Sequence, residues 1–251
     1  MQVRTGTPIM EQIVAGTLRF YHREMPQVLE RSALDWQEEK ARFERAQRQS
    51  IQELKLLFDR TAERLGEETA AVFAAHAVLL EDEELVSSVE EILRAQNATA
   101  EYAVSVTGQT FADTLERLDN PYMKARAADI RDVARRVLCA LAGVQPKVQM
   151  DGPSILVADS FFPSEVVELD RNLLGLISRR ESLDSHTGQL LRVCRIPAVV
   201  DVELEEAWEG HLALMDCHEG KIYLDPEPEL LEELRKRYQA GGRPGRERTK
   251  K

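Results

Sequence analysis

Ser185-His186-Thr187-Gly188-Gln189-Leu190-Leu191-Arg192, a three-residue break, and then Ile196-Pro197-Ala198-Val199-Val200 set a short hydroxyl-started helix directly before a β-branched strand. The same alternation continues on both sides. Residues 155–158, 174–177, 212–215 and 222–224 read as further strands, and helical stretches follow Pro163 and surround Glu203 to Trp208. From Gly143 onward the chain therefore predicts a compact α/β sandwich. Within it, His186 stands at a helix start between two hydroxyls. Free N–H groups and a partial positive charge stabilise an anion there, which suits an imidazole that carries a phosphoryl group. Read alone, the tripeptide fits a helix-capping structural histidine at least as well.

Before Gly143 the period changes. Trp36, Phe43, Ile51, Leu54, Phe58 and Leu65 recur at helical spacing between Ser32 and the stop at Gly66. A second pattern carries Val72, Phe73, His76, Leu79 and Leu80, and a third follows Asp82 until 97–99 interrupts it. A fourth follows Thr99, and Asn120-Pro121 opens a fifth that ends at Gly143. Such short connections predict an antiparallel bundle. Residues 12–14 and 17–21 read as two short strands that cannot stand alone, so they are expected to pair with the later sheet. The expected fold class is α+β and multidomain. Residues 1–31 and 144–226 form a discontinuous α/β domain, 32–143 form an inserted helical subdomain, and 227–251 form a C-terminal helix with a flexible tail or linker.

With 33 Lys and Arg against 44 Asp and Glu, the net charge of −11 argues against nucleic acid or an anionic membrane surface as partner. A basic protein is the natural complement. Cys139, Cys194 and Cys217 form no Cys-x-x-Cys pair, so neither a disulfide framework nor a structural zinc site is indicated. His211 and His218 lack a third ligand at zinc spacing. No apolar run is long enough for membrane insertion and no cleavable leader is evident, which leads to the expectation of a soluble cytoplasmic protein.

Val78-Leu79-Leu80-Glu81-Asp82-Glu83-Glu84-Leu85 and Tyr122-Met123-Lys124-Ala125-Arg126-Ala127-Ala128-Asp129-Ile130-Arg131-Asp132-Val133 precede the Ser-His-Thr turn. With Pro163-Ser164-Glu165 and Ile196-Pro197-Ala198-Val199-Val200, they resemble the N-terminal half of enzyme I of the bacterial phosphoenolpyruvate-dependent sugar phosphotransferase system. The resemblance spans roughly residues 60 to 226. It implies an α/β phosphohistidine domain interrupted by a helical subdomain that docks a small histidine phosphocarrier protein. It also implies that His186 carries the phosphoryl group, with Ser185 and Thr187 stabilising it. No cofactor is implied in this chain. Magnesium and phosphoenolpyruvate belong to the family's C-terminal barrel domain, a second expected partner. The chain departs from the family pattern in Glu181-Ser182-Leu183-Asp184 before the turn, in Phe162 where a threonine is usual, and in Gly188 after Thr187. These departures keep open a catalytically degenerate relative that acts only as a phosphocarrier-binding adaptor.

For docking, the resemblance singles out Glu67, Glu68, Leu79, Glu84 and Arg126. The residues alone also allow helix N-terminal carboxylates for the acidic groups and ordinary core for Leu79. His76, in an apolar register, reads as a core or groove histidine. The series Arg126, Asp129, Arg131, Asp132, Arg135, Arg136 reads in part as a solvated face with intrahelical ion pairs and is assigned no catalysis.

Overall fold

Five helices leave the sheet and return to it between two adjacent parallel strands. The computed structural model describes residues 2–145, 148, 150–169, 172–181 and 183–240. The chain begins with β1 (Gln2–Thr5), β2 (Thr7–Pro8) and β3 (Ile13–Phe20). Then come α1 (Trp36–Leu65), α2 (Glu67–Leu80), α3 (Glu83–Gln96), α4 (Ala100–Arg117) and α5 (Pro121–Ala142). The remainder alternates as β4 (Ser154–Ala158), α6 (Pro163–Val167), β5 (Leu173–Ser178), α7 (His186–Val193) and β6 (Ala198–Val200). It closes with β7 (Leu212–Asp216), β8 (Lys221–Leu224) and α8 (Pro228–Ala240).

Side chains cap most of these helices, each such cap contributing about 1 kcal/mol. Asp35 accepts from the amides of Gln37 and Glu38, Asp82 from Glu84 and Leu85, Thr99 from Tyr102, and Asn120 from Tyr122 and Met123. Asn97 and Gly143 end their helices in the left-handed conformation. Helix α1 thus starts later than Ser32 predicts, because Asp35 takes the cap while the Ser32 hydroxyl donates to Glu39. Around Glu203 to Trp208 only a 3₁₀ turn, Glu206–Trp208, forms. The expected tail at 241–251 lies outside the described residues.

The sheet has the order β1-β8-β7-β3-β4-β5-β6-β2. Its β3, β4, β5 and β6 run parallel, joined by the bundle, α6 and α7; the other pairings are antiparallel. Thr17 on β3 faces Ser154 on β4, so the bundle is one long crossover between neighbours. The two short strands expected at 12–14 and 17–21 are one continuous strand. The apparent break at Gly16 exists because a Cβ there would lie 2.6 Å from Leu174 Cδ1.

β1 and β2 are consecutive in sequence yet occupy opposite ends of the order: Val3 pairs with Tyr223 on β8 and Thr7 with Val200 on β6. The sheet of the expected α/β sandwich is therefore curled until its two edges meet at Gly6. Its interior is a closed apolar cluster including Leu18, Ile155, Val157, Ile177, Val199, Met215 and Ile222. On the outer face a second cluster runs from Phe43 and Leu54 in α1 through Val133 and Val137 in α5 to Phe161, Leu156 and Leu191, so bundle and sheet share a core.

One carboxylate ties that junction. Glu165, 2% exposed, accepts from the Tyr21 hydroxyl (2.8 Å), Arg23 Nε (2.8 Å) and Nη2 (2.9 Å), and the Phe162 amide (2.8 Å). Arg135 Nη1 of α5 lies 3.5 Å away. One turn earlier, Asp132 accepts from the Ser164 amide (3.0 Å) and hydroxyl (2.6 Å). The exit of β3, helix α5 and helix α6 are thereby fixed to one another.

Two outcomes test this account. At the meeting of the edges, a Cβ on Gly6 would stand 2.4 Å from the Val200 carbonyl oxygen and 2.6 Å from Val202. Gly6→Ala is expected to lower the unfolding free energy by about 1–3 kcal/mol in denaturant titration. Burial, reinforced by the Glu165 charge, pushes the Tyr21 phenol above its ordinary value. Glu165→Gln should cost about 3 kcal/mol or more by leaving Arg23 and Arg135 without their common partner. With the opposing charge gone, phenolate absorbance should show Tyr21 ionising at lower pH than in the parent, identified by its loss in a Tyr21→Phe background.

Candidate functional site

Helix α7 presents His186 at its first position because Ser185 caps it. The Ser185 hydroxyl accepts the Gly188 amide (3.0 Å) and donates to Glu181 Oε1 (2.5 Å). Thr187, fully buried, donates its hydroxyl to the Phe161 carbonyl (2.9 Å) and so anchors α7 on the entry to α6. Both hydroxyls expected to stabilise a phosphoryl group are thus committed to backbone and to Glu181. Their place in the site is to aim His186. A glutamate-bound serine cap also accounts for Glu181, whose carboxylate turns to the helix start.

The His186 side chain is 21% exposed and meets α5 from outside. Its Nδ1 lies 3.1 Å from the Asp129 carboxylate, which can only accept, so the proton of the neutral ring belongs on Nδ1 and the lone pair on Nε2. Arg126 Nη1 lies against the ring, 2.8 Å from Nε2 and 3.1 Å from Nδ1, and reaches Asp129 Oδ2 at 3.2 Å. The Arg126 guanidinium also bonds the Tyr122 hydroxyl and lies over the Tyr122 ring, 4.6 Å from its centre. Behind Asp129, His76 of α2 is 1% exposed, with Nε2 3.2 Å from Asp129 Oδ1. Burial opposes a charge on Asp129, yet the His186 hydrogen bond and the nearby His76 imidazole hold its acid far below the usual carboxylate range. Outside this cluster opens a crevice of 520 Å³ whose lining includes Glu68, Val72, Arg126, His186, Gln189 and Arg192.

The other singled-out residues are placed as follows. Glu67 and Glu68 are exposed at the N-terminus of α2, and Glu84 is exposed in the first turn of α3. These acidic groups flank α2 at opposite ends, about 20 Å apart along its axis. Leu79 is half-buried and packs against both the main bundle cluster and a small one of Ala112, Ala127 and Ile130. Arg126, expected only as a docking contact, stands against His186 itself. Phe162 is buried, with the Arg23 guanidinium 3.9 Å from its ring centre. His211 pairs with Asp225 at 2.7 Å and His218 stacks on Tyr238.

The charged series on α5 is corrected more strongly. Asp129, Asp132, Arg135 and Arg136 are buried, and only Arg126 and Arg131 keep partial exposure. Steps of three and four place 129, 132, 133, 136 and 137 on one stripe, and this stripe packs against α2, α6 and α7. Periodicity alone assigned these charges in part to a solvated face. The available signal was register: Asp129 stands one and two turns before Val133 and Val137, at a core position. Arg192 carried no comparable signal.

The chain is similar to known proteins in sequence and in overall fold. The profile of the N-terminal part of phosphoenolpyruvate-utilising enzymes matches residues 5–126, and that of their mobile domain matches 150–220. The chain is 36% identical over 257 residues to the phosphoenolpyruvate-protein phosphotransferases of Bacillus sp. (strain S) and Geobacillus stearothermophilus. Each match covers 94% of this chain and 44% of the relative, so the chain spans under half the length of these relatives. Among solved structures, a solution structure of enzyme I (nEIt) superposes with a TM-score of 0.68 at 26% identity, covering 94% of this chain and 98% of that one. The N-terminal domain of enzyme 1 of the nitrogen type gives 0.59 at 26% identity, with 94% and 99% covered. On these matches the chain belongs to the enzyme I family of phosphoenolpyruvate-protein phosphotransferases and corresponds to its N-terminal half.

Proposed function

We propose that this chain is the phosphoryl-relay half of an enzyme I-like phosphotransferase. In this reading Nε2 of His186 takes a phosphoryl group and exchanges it with a histidine of a small phosphocarrier protein in sugar uptake. The observation that carries the reading is the orientation of the imidazole. Nδ1 is held by a buried carboxylate, which leaves the lone pair on Nε2, and the ring lines a crevice bordered by two arginines.

The step needs no general base. The N–P bond of the carrier's phosphohistidine breaks as the His186 Nε2 lone pair forms the new one; the carrier nitrogen recovers its lone pair, and the His186 Nδ1 proton stays on its bond to Asp129. Negative charge on Asp129 supports the positive charge that grows on the imidazole. In a loose phosphoryl-transfer transition state the remaining charge sits on three equatorial oxygens, and positioning with charge compensation supplies most of the catalysis. Arg126, already against the ring, and Arg192 are the cations at hand. No reactive role falls to Ser185 or Thr187 beyond orientation.

For docking, α2 and α5 expose Val78, Tyr122 and Met123 beside half-buried Leu79, with Glu67, Glu68 and Glu84 at the two ends of α2. An apolar strip flanked by acids suits a basic phosphocarrier, with Arg126 reaching between the sites. A C-terminal phosphoenolpyruvate domain, binding magnesium there, would load the histidine. No described helix is long and apolar enough to cross a membrane, and a cytoplasmic setting completes the proposal.

Incubation with phosphorylated carrier is expected to leave acid-labile phosphate on His186, and His186→Ala is expected to abolish it. Label elsewhere, or none, overturns the relay in favour of a silent adaptor. Neutralising Glu67, Glu68 and Glu84 together should slow carrier association and flatten its salt dependence, each charge contributing on the order of 1 kcal/mol or less. His186→Ala should leave binding nearly intact. Unchanged affinity with an unchanged salt slope would reduce the acidic groups to solvated helix ends.

A further inference from the structure

The ring nitrogens of His76 are both buried and both lack a hydrogen-bond partner. Nε2 stands 3.2 Å from Asp129 Oδ1 but misaligned, and Nδ1 lies 3.9 Å from Asp132 Oδ2. Fully buried polar atoms in such a state are rare, and each calls for a physical reason. Helices α2, α5 and α7 here bring one donor each from His76, Asp129 and His186 to within 4.8 Å of one another.

We propose that His76 Nε2, Asp129 Oδ1 and His186 Nδ1 form a site for a divalent transition-metal ion of the zinc class, and that its occupation closes the phosphoryl site. Two imidazoles and a carboxylate select zinc, nickel or copper over magnesium or calcium. Tetrahedral zinc with bonds near 2.0–2.1 Å sets its ligand atoms about 3.4 Å apart. Two of the three edges are already 3.1 and 3.2 Å. The fourth position faces the crevice and remains for water. Asp132, held by Ser164, stands behind His76 Nδ1 as the carboxylate that orients a metal-bound imidazole.

A metal bond to His186 Nδ1 displaces its proton to Nε2. That nitrogen then has no lone pair to attack phosphorus. Arg126 is the competitor: its Nη1 lies 3.1 Å from Nδ1 and 3.2 Å from Asp129 Oδ2, supplying the positive charge the metal would supply. Being partly exposed, it can turn out to solvent. Guanidinium and metal are alternative occupants of one place.

The metal-binding half stands independently of the phosphoryl reading; only the blocking half rests on it. Metal-free protein is titrated with Zn²⁺ by calorimetry and with Co²⁺ by visible absorption. The parent should bind one equivalent with a tetrahedral cobalt spectrum. His76→Gln should weaken binding about tenfold or more. Arg126→Ala, at a half-exposed position tolerant of change, should tighten it and raise the cobalt absorption. Absence of stoichiometric binding in the parent overturns the site, as does a His76→Gln variant, folded by circular dichroism, that binds like the parent. So does an Arg126→Ala variant that binds no tighter. One equivalent of Zn²⁺ should also suppress phosphate uptake from phosphorylated carrier; undiminished uptake with the metal bound overturns the blocking role. Failure of uptake in metal-free protein would instead count against the relay itself.

Discussion

Glu165 carries the constraint on which the site depends. A carboxylate buried to this degree is costly unless it is paired and fully hydrogen-bonded, and here four donors from two parts of the chain converge on it, with Arg135 of a third close by. Because Tyr21 and Arg23 follow β3, Phe162 opens α6 and Arg135 lies on α5, satisfying one charge fixes the bundle against the sheet. Asp132 repeats the device one turn away through Ser164. His186 approaches α5 from the sheet side, so the 3.1 Å separation from Asp129 is as reproducible as this junction is rigid. Preorganisation at the site is therefore a property of the interface beneath it.

Asp129 shows the opposite economy. Two imidazoles and a guanidinium crowd one buried carboxylate, more partners than its charge requires and fewer well-aligned bonds than a structural group would take. Sites built for reactivity keep such incompletely satisfied groups, because a charge that is fully committed cannot respond when a second charge arrives. Arg126 exemplifies this: each of its present contacts can be exchanged without unfolding anything around it.

Much of the fold was legible because local chemistry and global architecture agree. Asp82, Thr99, Asn120, Asn97 and Gly143 punctuate the bundle where capping rules put them, and the parallel strands announce themselves as β-branched runs. What escaped was non-local. Residues 2–8 have no strand signature of their own, since their pairing is decided by β8 and β6 more than 190 residues away. At the site, His186 was legible from its helix start and from the resemblance. Asp129 and His76 were not joined to it, because their adjacency exists only once α2, α5 and α7 pack. The charge pattern on α5 misled for a related reason: a periodicity of three and four says which residues share a face, not what covers that face.

The curled sheet has a consequence for solubility. Strand edges with unpaired amides and carbonyls are templates on which other chains can polymerise, and globular proteins must blunt them. This chain blunts both with a single ribbon, residues 2–8, whose first half covers β8 and whose second half covers β6, with Gly6 as the crossing point. The safeguard is thereby concentrated in one short segment instead of being spread along the sheet. Displacing that segment would uncover two edges at once and offer them to lateral association.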